Sequence, residues 1–172
     1  MSTSISGPRH YFTTRIFDAA PKSLFDAWTE PQRLARWWGP RGATVPECTI
    51  DLRLGGAYRM TMRSGTGMDM PIAGVYQMIV PERVLMMSMN AGGHPEKGQP
   101  KRRRPTDDHD PIEEMLLTVQ FEPKEKRTVQ TLQVECASAL QRDQLLKMGM
   151  DQGWQQSFDK LADELAALRK AS

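Results

Sequence analysis

Residues 150–168 read MDQGWQQSFDKLADELAAL. Met150, Trp154, Phe158, Leu161, Leu165 and Leu168 recur at steps of four, four, three, four and three. Asp151, Gln155, Asp159, Lys160 and Glu164 occupy the positions between them. That is the period of an α-helix with one apolar face. A helix patterned this way must bury its stripe against another layer. Leu145, Leu146 and Met148 extend the expected helix to about residues 141–170, with Gly149 and Gly153 as its weak points.

Upstream of the helix the period is two. Residues 128–136 carry Leu132 and Val134 inward, and residues 115–121 carry Met115, Leu117, Val119 and Phe121 on one face, with Lys124-Glu125-Lys126 turning between them. Residues 74–80 (GVYQMIV) and 83–89 (RVLMMSM) flank Pro81-Glu82 as two tightly joined strands. Tyr58, Met60 and Met62 alternate with Arg59, Thr61 and Arg63 in a half-buried strand. Residues 48–52 precede it as another, across the turn Leu54-Gly55-Gly56. Consecutive strands with short turns make an antiparallel meander.

The chain opens with one more strand, residues 11–18 (YFTTRIFD), and then two short helices. Pro21 sits in the first turn of one, where its missing N–H costs nothing. Thr29 and Gln32 have capping-box spacing for the other, and Gly39-Pro40 ends it. The pattern is therefore a strand, two short helices, about six strands and a long helix that covers one face of the sheet.

The chain has 172 residues, of which 39% are apolar and 26% charged, so it has material for one core without disulfide staples. A net charge of +2 implies no polyanionic partner. No apolar run reaches membrane-spanning length, and residues 1–8 carry no apolar signal core, so a cytoplasmic location is expected. Cys48 and Cys136 are too few for a disulfide framework and read as inert buried thiols. Methionine occurs 12 times, nine of them between Met60 and Met115, and this flexible thioether suits a surface that must adapt.

Residues 91–111 (AGGHPEKGQPKRRRPTDDHDP) form a long polar break. Its Lys101-Arg102-Arg103-Arg104 run invites a nucleic-acid reading. Between Glu96 and Glu114, however, five basic residues face six acidic ones and no aromatic is interleaved, so a solvated loop is the expectation. Asp107, Asp108, His109 and Asp110 are adjacent on that loop and do not predict a metal site. No phosphate-binding, nucleophile-elbow or zinc-protease motif is present, and no catalytic residue or cofactor is assigned. Asp69 or Glu113-Glu114 would serve as general acid or base only if buried in a cavity. Trp37, Trp38, Trp154 and Phe158 have two readings, ordinary core or the wall of a pocket, with Tyr58, Met60 and Met62 facing them.

The stretch Phe25-Asp26-Ala27-Trp28-Thr29-Glu30-Pro31, with Leu34 and Trp37-Trp38-Gly39-Pro40, is similar to the signature of bacterial proteins related to the C-terminal domain of the heat-shock-protein-90 ATPase activator. So are Asp51-Leu52-Arg53 with Gly55-Gly56, Gly74-Val75-Tyr76, Pro81-Glu82-Arg83, and Gln152-Gly153-Trp154 with Ser157 and Asp159-Lys160-Leu161. These blocks run in family order from about Tyr11 to Leu168. The resemblance implies an α+β helix-grip fold of the START-like (SRPBCC, Bet v 1-like) superfamily. In it a curved seven-stranded antiparallel sheet wraps a long C-terminal helix, and two short helices follow strand 1. It implies one domain over residues 1–172, with a tail at 1–9 and an insertion at 91–111.

The resemblance further implies a cavity between sheet and helix that holds an apolar ligand in many relatives. Trp37, Trp38, Tyr58, Met60, Met62, Tyr76, Met86, Trp154 and Phe158 are the expected lining. Non-catalytic binding of a small apolar or aromatic molecule is the first functional expectation. A cyclase- or hydrolase-type enzyme using the same cavity and a chaperone-associated interaction module are the alternatives. A homodimer through an exposed strand edge is compatible with the pattern.

Overall fold

The computed structural model describes residues 2–4, 9–91 and 114–171. Strand β1 (Ser2–Ser4) pairs with β2 (His10–Phe17), and helices α1 (Pro21–Thr29) and α2 (Pro31–Trp37) follow. Strands β3 (Thr44–Ile50), β4 (Ala57–Arg63), β5 (Asp69–Val80), β6 (Val84–Ala91), β7 (Met115–Lys124) and β8 (Arg127–Glu135) come next. Helices α3 (Ala139–Lys147) and α4 (Met150–Ala171) close the chain. The sheet order is β1-β2-β8-β7-β6-β5-β4-β3, antiparallel throughout. Strands β2–β8 are the seven of the expected curved sheet, gripping the long helix. The short β1 adds an eighth at the β2 edge, within the stretch expected to be a tail.

Two further expectations change. The helix anticipated over residues 141–170 is two helices, because Gly149 takes a left-handed φ of 95° that breaks the hydrogen-bond ladder. The Thr29–Gln32 capping box does not form. Thr29 ends α1 and its hydroxyl donates back to the Phe25 carbonyl (2.7 Å), while α2 starts at Pro31 with no side-chain cap. A side-chain cap appears instead at α3, where the Ser138 hydroxyl accepts from the Gln141 main-chain N–H (3.1 Å) and the Gln141 side-chain oxygen Oε1 accepts from the Ala137 main-chain N–H (2.8 Å).

Helix α4 is fastened to β2 at several points. The Tyr11 hydroxyl donates to Asp151 (2.6 Å), Arg15 pairs with Asp159 (2.6 Å), and Phe17 meets Phe158 edge-on at 6.2 Å. Lys160 fastens its other side. Its ammonium donates to the main-chain carbonyls of Trp38 (3.4 Å), Gly39 (3.3 Å) and Ala43 (3.3 Å), holding the loop after α2 on the helix. Desolvation there lowers the Lys160 pKa below its ordinary value.

One edge of the sheet is β3. It carries Pro46, which has no N–H to offer, and its register shifts between Thr44 and Glu47, two features that blunt an edge against pairing with another chain. Among the described residues no helix is long and apolar enough to cross a membrane. The loop expected over residues 91–111 lies, Ala91 apart, outside the described residues, and with it the Lys101–Arg104 run and the Asp107–Asp110 cluster.

Candidate functional site

The aromatic side of the interior comes from three helices. Trp28 of α1, Trp37 of α2, the adjoining Trp38, and Trp154 and Phe158 of α4 form one continuous cluster. The Trp28 ring lies 4.7 Å from Trp37, 6.1 Å from Trp38, 6.4 Å from Trp154 and 6.3 Å from Phe158. Trp38 meets Trp154 edge-on at 5.2 Å. Indole N–H groups buried this deeply need acceptors. Trp37 donates to the Ala27 carbonyl (3.0 Å) and Trp28 to the side-chain oxygen of Gln130 (2.9 Å). With its amide oriented by Trp28, Gln130 keeps a buried NH₂ that has no hydrogen-bond partner among the described residues, and the buried Thr13 hydroxyl likewise has none there. Trp28 was not among the residues expected to line the site, yet it is the ring the others pack around.

The sheet side is built by period two. Tyr58 and Met60 of β4 are buried on the concave face, and Met62, next in phase, is half-buried. Met62 reaches the loop after α2, where its sulfur would lie 2.9 Å from a Cβ on Gly39. Met60 therefore sits along the strand between Tyr58 and the Trp38 corner. Tyr76 of β5 is buried and its ring lies 5.6 Å from Tyr58. The two phenols differ in what they can offer. Tyr58 donates its hydroxyl to the Ser88 carbonyl (2.6 Å), whereas no hydrogen bond to the Tyr76 hydroxyl is present among the described residues. Burial raises both pKa values, so both phenols stay protonated.

Met86 is a correction. Its register partners are Met78 on β5 and Thr118 on β7, and it is half-buried on the convex face. Leu85, Met87 and Met89 are the inward residues of β6. Met87 stands opposite Tyr76 and Leu117, and Met89 opposite Met115. A register shift between Tyr76 and Met78 sets this phase. Methionine occupies both parities at positions 86 and 87, so periodicity alone does not choose between them. The match of Met87 to the inward Leu117 is the signal that does. Met89, opposite the inward Met115, is buried on the same side.

Eight of the nine expected lining residues thus belong to the interior, which has an aromatic half (Trp37, Trp38, Trp154, Phe158) and a methionine-tyrosine half (Tyr58, Met60, Met62, Tyr76). Trp154 and Met89 are each 8% exposed, and Met62 is half-buried. No carboxylate or guanidinium is buried among the described residues. Asp69 is an exposed partner of Arg63 (2.8 Å), and Glu114 is exposed. Burial pushes the Cys48 thiol up to about 11 and raises that of Cys136, which leaves both poor nucleophiles. No group of three or more potential metal ligands occurs among the described residues.

The chain is similar in fold to several solved bacterial structures. A Nitrosomonas europaea protein superposes with a TM-score of 0.81 at 21% identity, over 98% of this chain and 100% of that one. A Rhodobacter sphaeroides protein gives 0.80 at 24% identity, over 97% and 99%. The AHSA1 protein from Silicibacter pomeroyi gives 0.68 at 24% identity, over 92% and 98%. No curated protein matches the chain. Residues 18–166 match the family model described as activator of Hsp90 ATPase homolog 1-like protein. That match runs from the end of β2 almost to the end of α4 and takes in both halves of the interior. The chain belongs to the activator of Hsp90 ATPase homolog 1-like family.

Proposed function

We propose that the chain binds a small apolar or aromatic molecule between the sheet and α4, without chemistry on it. The observation that carries this reading is the composition of the concave face. Met60 of β4, Met87 and Met89 of β6 and Met115 of β7 are inward, opposite an aromatic wall ending in Trp154. Unbranched thioethers can change rotamer to admit a guest, whereas the interlocked tryptophans are a fixed surface. Burial of the guest supplies about 25 cal/mol per Å² of apolar area, less the cost of ordering it. The Tyr76 hydroxyl would orient one polar group of the guest. Among the described residues no carboxylate or guanidinium is buried, so the cyclase or hydrolase alternative would rest on the phenols of Tyr58 and Tyr76.

A second reading, an interaction module, is favoured by a different feature. Val75, Met78 and Val80 are exposed on β5, and Met78 pairs with the half-buried Met86 on the same convex face.

Titration of tryptophan emission with two- and three-ring aromatic and polyketide-like compounds tests the proposal, because all the ring contacts of Trp28, Trp38 and Trp154 lie in this one cluster. A saturable change is expected and should disappear in Met60→Trp, whose added ring fills the methionine side. In Tyr76→Phe, compounds with a carbonyl should bind roughly five- to tenfold more weakly, as loss of one hydrogen bond implies, and hydrocarbons equally well. No saturable response from any compound would overturn the proposal and leave the convex face as the better candidate.

A further inference from the structure

We propose that the chain carries a second ligand site outside the sheet–helix interior, taking a single-chain monocarboxylate of the fatty-acid type. The site is a groove of about 560 Å³ where the β2–α1 connection, the β7–β8 turn and the last turns of α4 meet. That volume falls within the range of small-molecule sites. Its apolar part is Ala19, Ala20, the half-buried Leu168 and the outer edge of Leu165, which is 7% exposed, a floor against which an alkyl chain could lie. Its charged part is Arg33, Lys126 and Arg169 against the one carboxylate of Asp18.

Those charges select the head group. Arg169 is already paired with Asp18 (2.6 Å) and also donates to the Asp18 carbonyl (3.2 Å), while Arg33 is paired with Glu30 (2.6 Å). Lys126 is exposed and has no ion pair among the described residues. One uncommitted lining cation matches one negative charge, which a carboxylate carries and a phosphate monoester exceeds. Arg127, next in the turn, adds positive field at Asp18, and the turn also carries the exposed Glu125. Helix α1 starts on this groove at Pro21 without a side-chain cap, so its amide end adds to the positive side.

The groove is also held in shape. The buried Thr128 hydroxyl donates to the Ala19 carbonyl (2.7 Å), fixing the β2–α1 connection to the start of β8. The Asp18–Arg169 pair crosses from that connection to α4 and separates the groove from a smaller recess of about 210 Å³ lined by Phe17, Ala162 and Ala166. An alkyl chain lying on Leu165 and Leu168 would bring its carboxylate to Lys126 without entering the interior.

Amide-resolved NMR titration with decanoate, beside decanol as the neutral control, tests the site. Decanoate should shift the amides of Ala19, Ser23, Leu165 and Leu168 saturably. Decanol should bind roughly tenfold more weakly, and Lys126→Glu should weaken decanoate by a similar factor. Lys126→Glu should leave aromatic titrations of the tryptophan cluster unchanged, so the two sites can fail separately. Equal binding of acid and alcohol, no saturable shift at the groove, or shifts centred on Tyr76 and Trp154 would each overturn the proposal.

Discussion

Gly74→Ala is expected to prevent the sheet from forming as described. A Cβ at this position would lie 1.8 Å from the Ser88 carbonyl oxygen and 2.7 Å from both the Ser88 carbonyl carbon and the Tyr58 ring. The nearest atoms are backbone, so no rotamer change relieves the clash. The same Ser88 carbonyl accepts the Tyr58 hydroxyl (2.6 Å), and the Ser88 hydroxyl accepts the Val75 amide (3.0 Å). Pushing β5 from β6 therefore breaks a buried hydrogen bond as well as the ladder. The loss should be about 4 kcal/mol or more, at the far end of single-residue effects and comparable with a domain's whole stability. Gly153→Ala in α4 is the control, since a Cβ there meets nothing within 4 Å. It should stabilise by about 0.5–1 kcal/mol through helix propensity. Urea unfolding followed by far-UV circular dichroism reads both, and an unchanged midpoint for Gly74→Ala would contradict the packing given for β5 and β6.

Trp28→Ala is expected to cost about 3–5 kcal/mol from the cavity alone. It removes the ring that Trp37, Trp38, Trp154 and Phe158 all contact, and it takes the donor from Gln130, whose amide is already only half satisfied. A fully buried side-chain oxygen left without a partner adds about 1–3 kcal/mol. Trp28→Phe separates the two contributions by keeping part of the ring and losing the hydrogen bond. Its cost should fall clearly below that of the alanine variant. If Trp28→Ala lowered unfolding free energy by less than about 1 kcal/mol, the cluster would not be the core that joins α1, α2 and α4.

The elements were legible where pattern and environment agree. Steps of four, four, three, four and three from Met150 to Leu168 announce α4, and of these residues Trp154, Phe158, Leu161 and Leu165 are buried. Period two identifies β7 and β8, whose inward residues Leu117, Val119, Leu132 and Val134 are all buried. What could not be read depends on contacts between distant parts of the chain. Met86 and Met87 are chemically alike, and only pairing with Leu117, together with the irregularity after Tyr76, decides which faces inward. Thr29 and Gln32 satisfy the spacing of a capping box, but Pro31 starts α2 one residue too late for Thr29 to serve, and Thr29 bonds within α1 instead. Trp28 looks in sequence like one apolar residue of a short helix. Its central place appears only once α1, α2 and α4 converge on it.

Within the site, the aromatic half was legible because tryptophan is rare and its spacing conspicuous. The methionine half was legible in kind but incomplete in membership. Tyr58, Met60 and Met62 follow one strand and could be phased against Arg59 and Arg63, and Met115 shares the face of Leu117, Val119 and Phe121, whereas Met89 acquires its place only by standing opposite Met115 across β6 and β7. The groove at the end of α4 left no sequence signal. Its walls are drawn from four separated segments, and its head-group selectivity rests on which cations are already paired.

The central claim is that the concave methionines yield to a guest while the aromatic wall stays fixed. The 12 methionine methyls, labelled with carbon-13 and titrated with a compound that quenches tryptophan emission, report on it directly. Saturable shifts are predicted at Met60, Met87, Met89 and Met115, with Met68, Met78 and Met148, all exposed, unmoved. Shifts confined to the exposed methyls, or spread evenly over all of them, would contradict it.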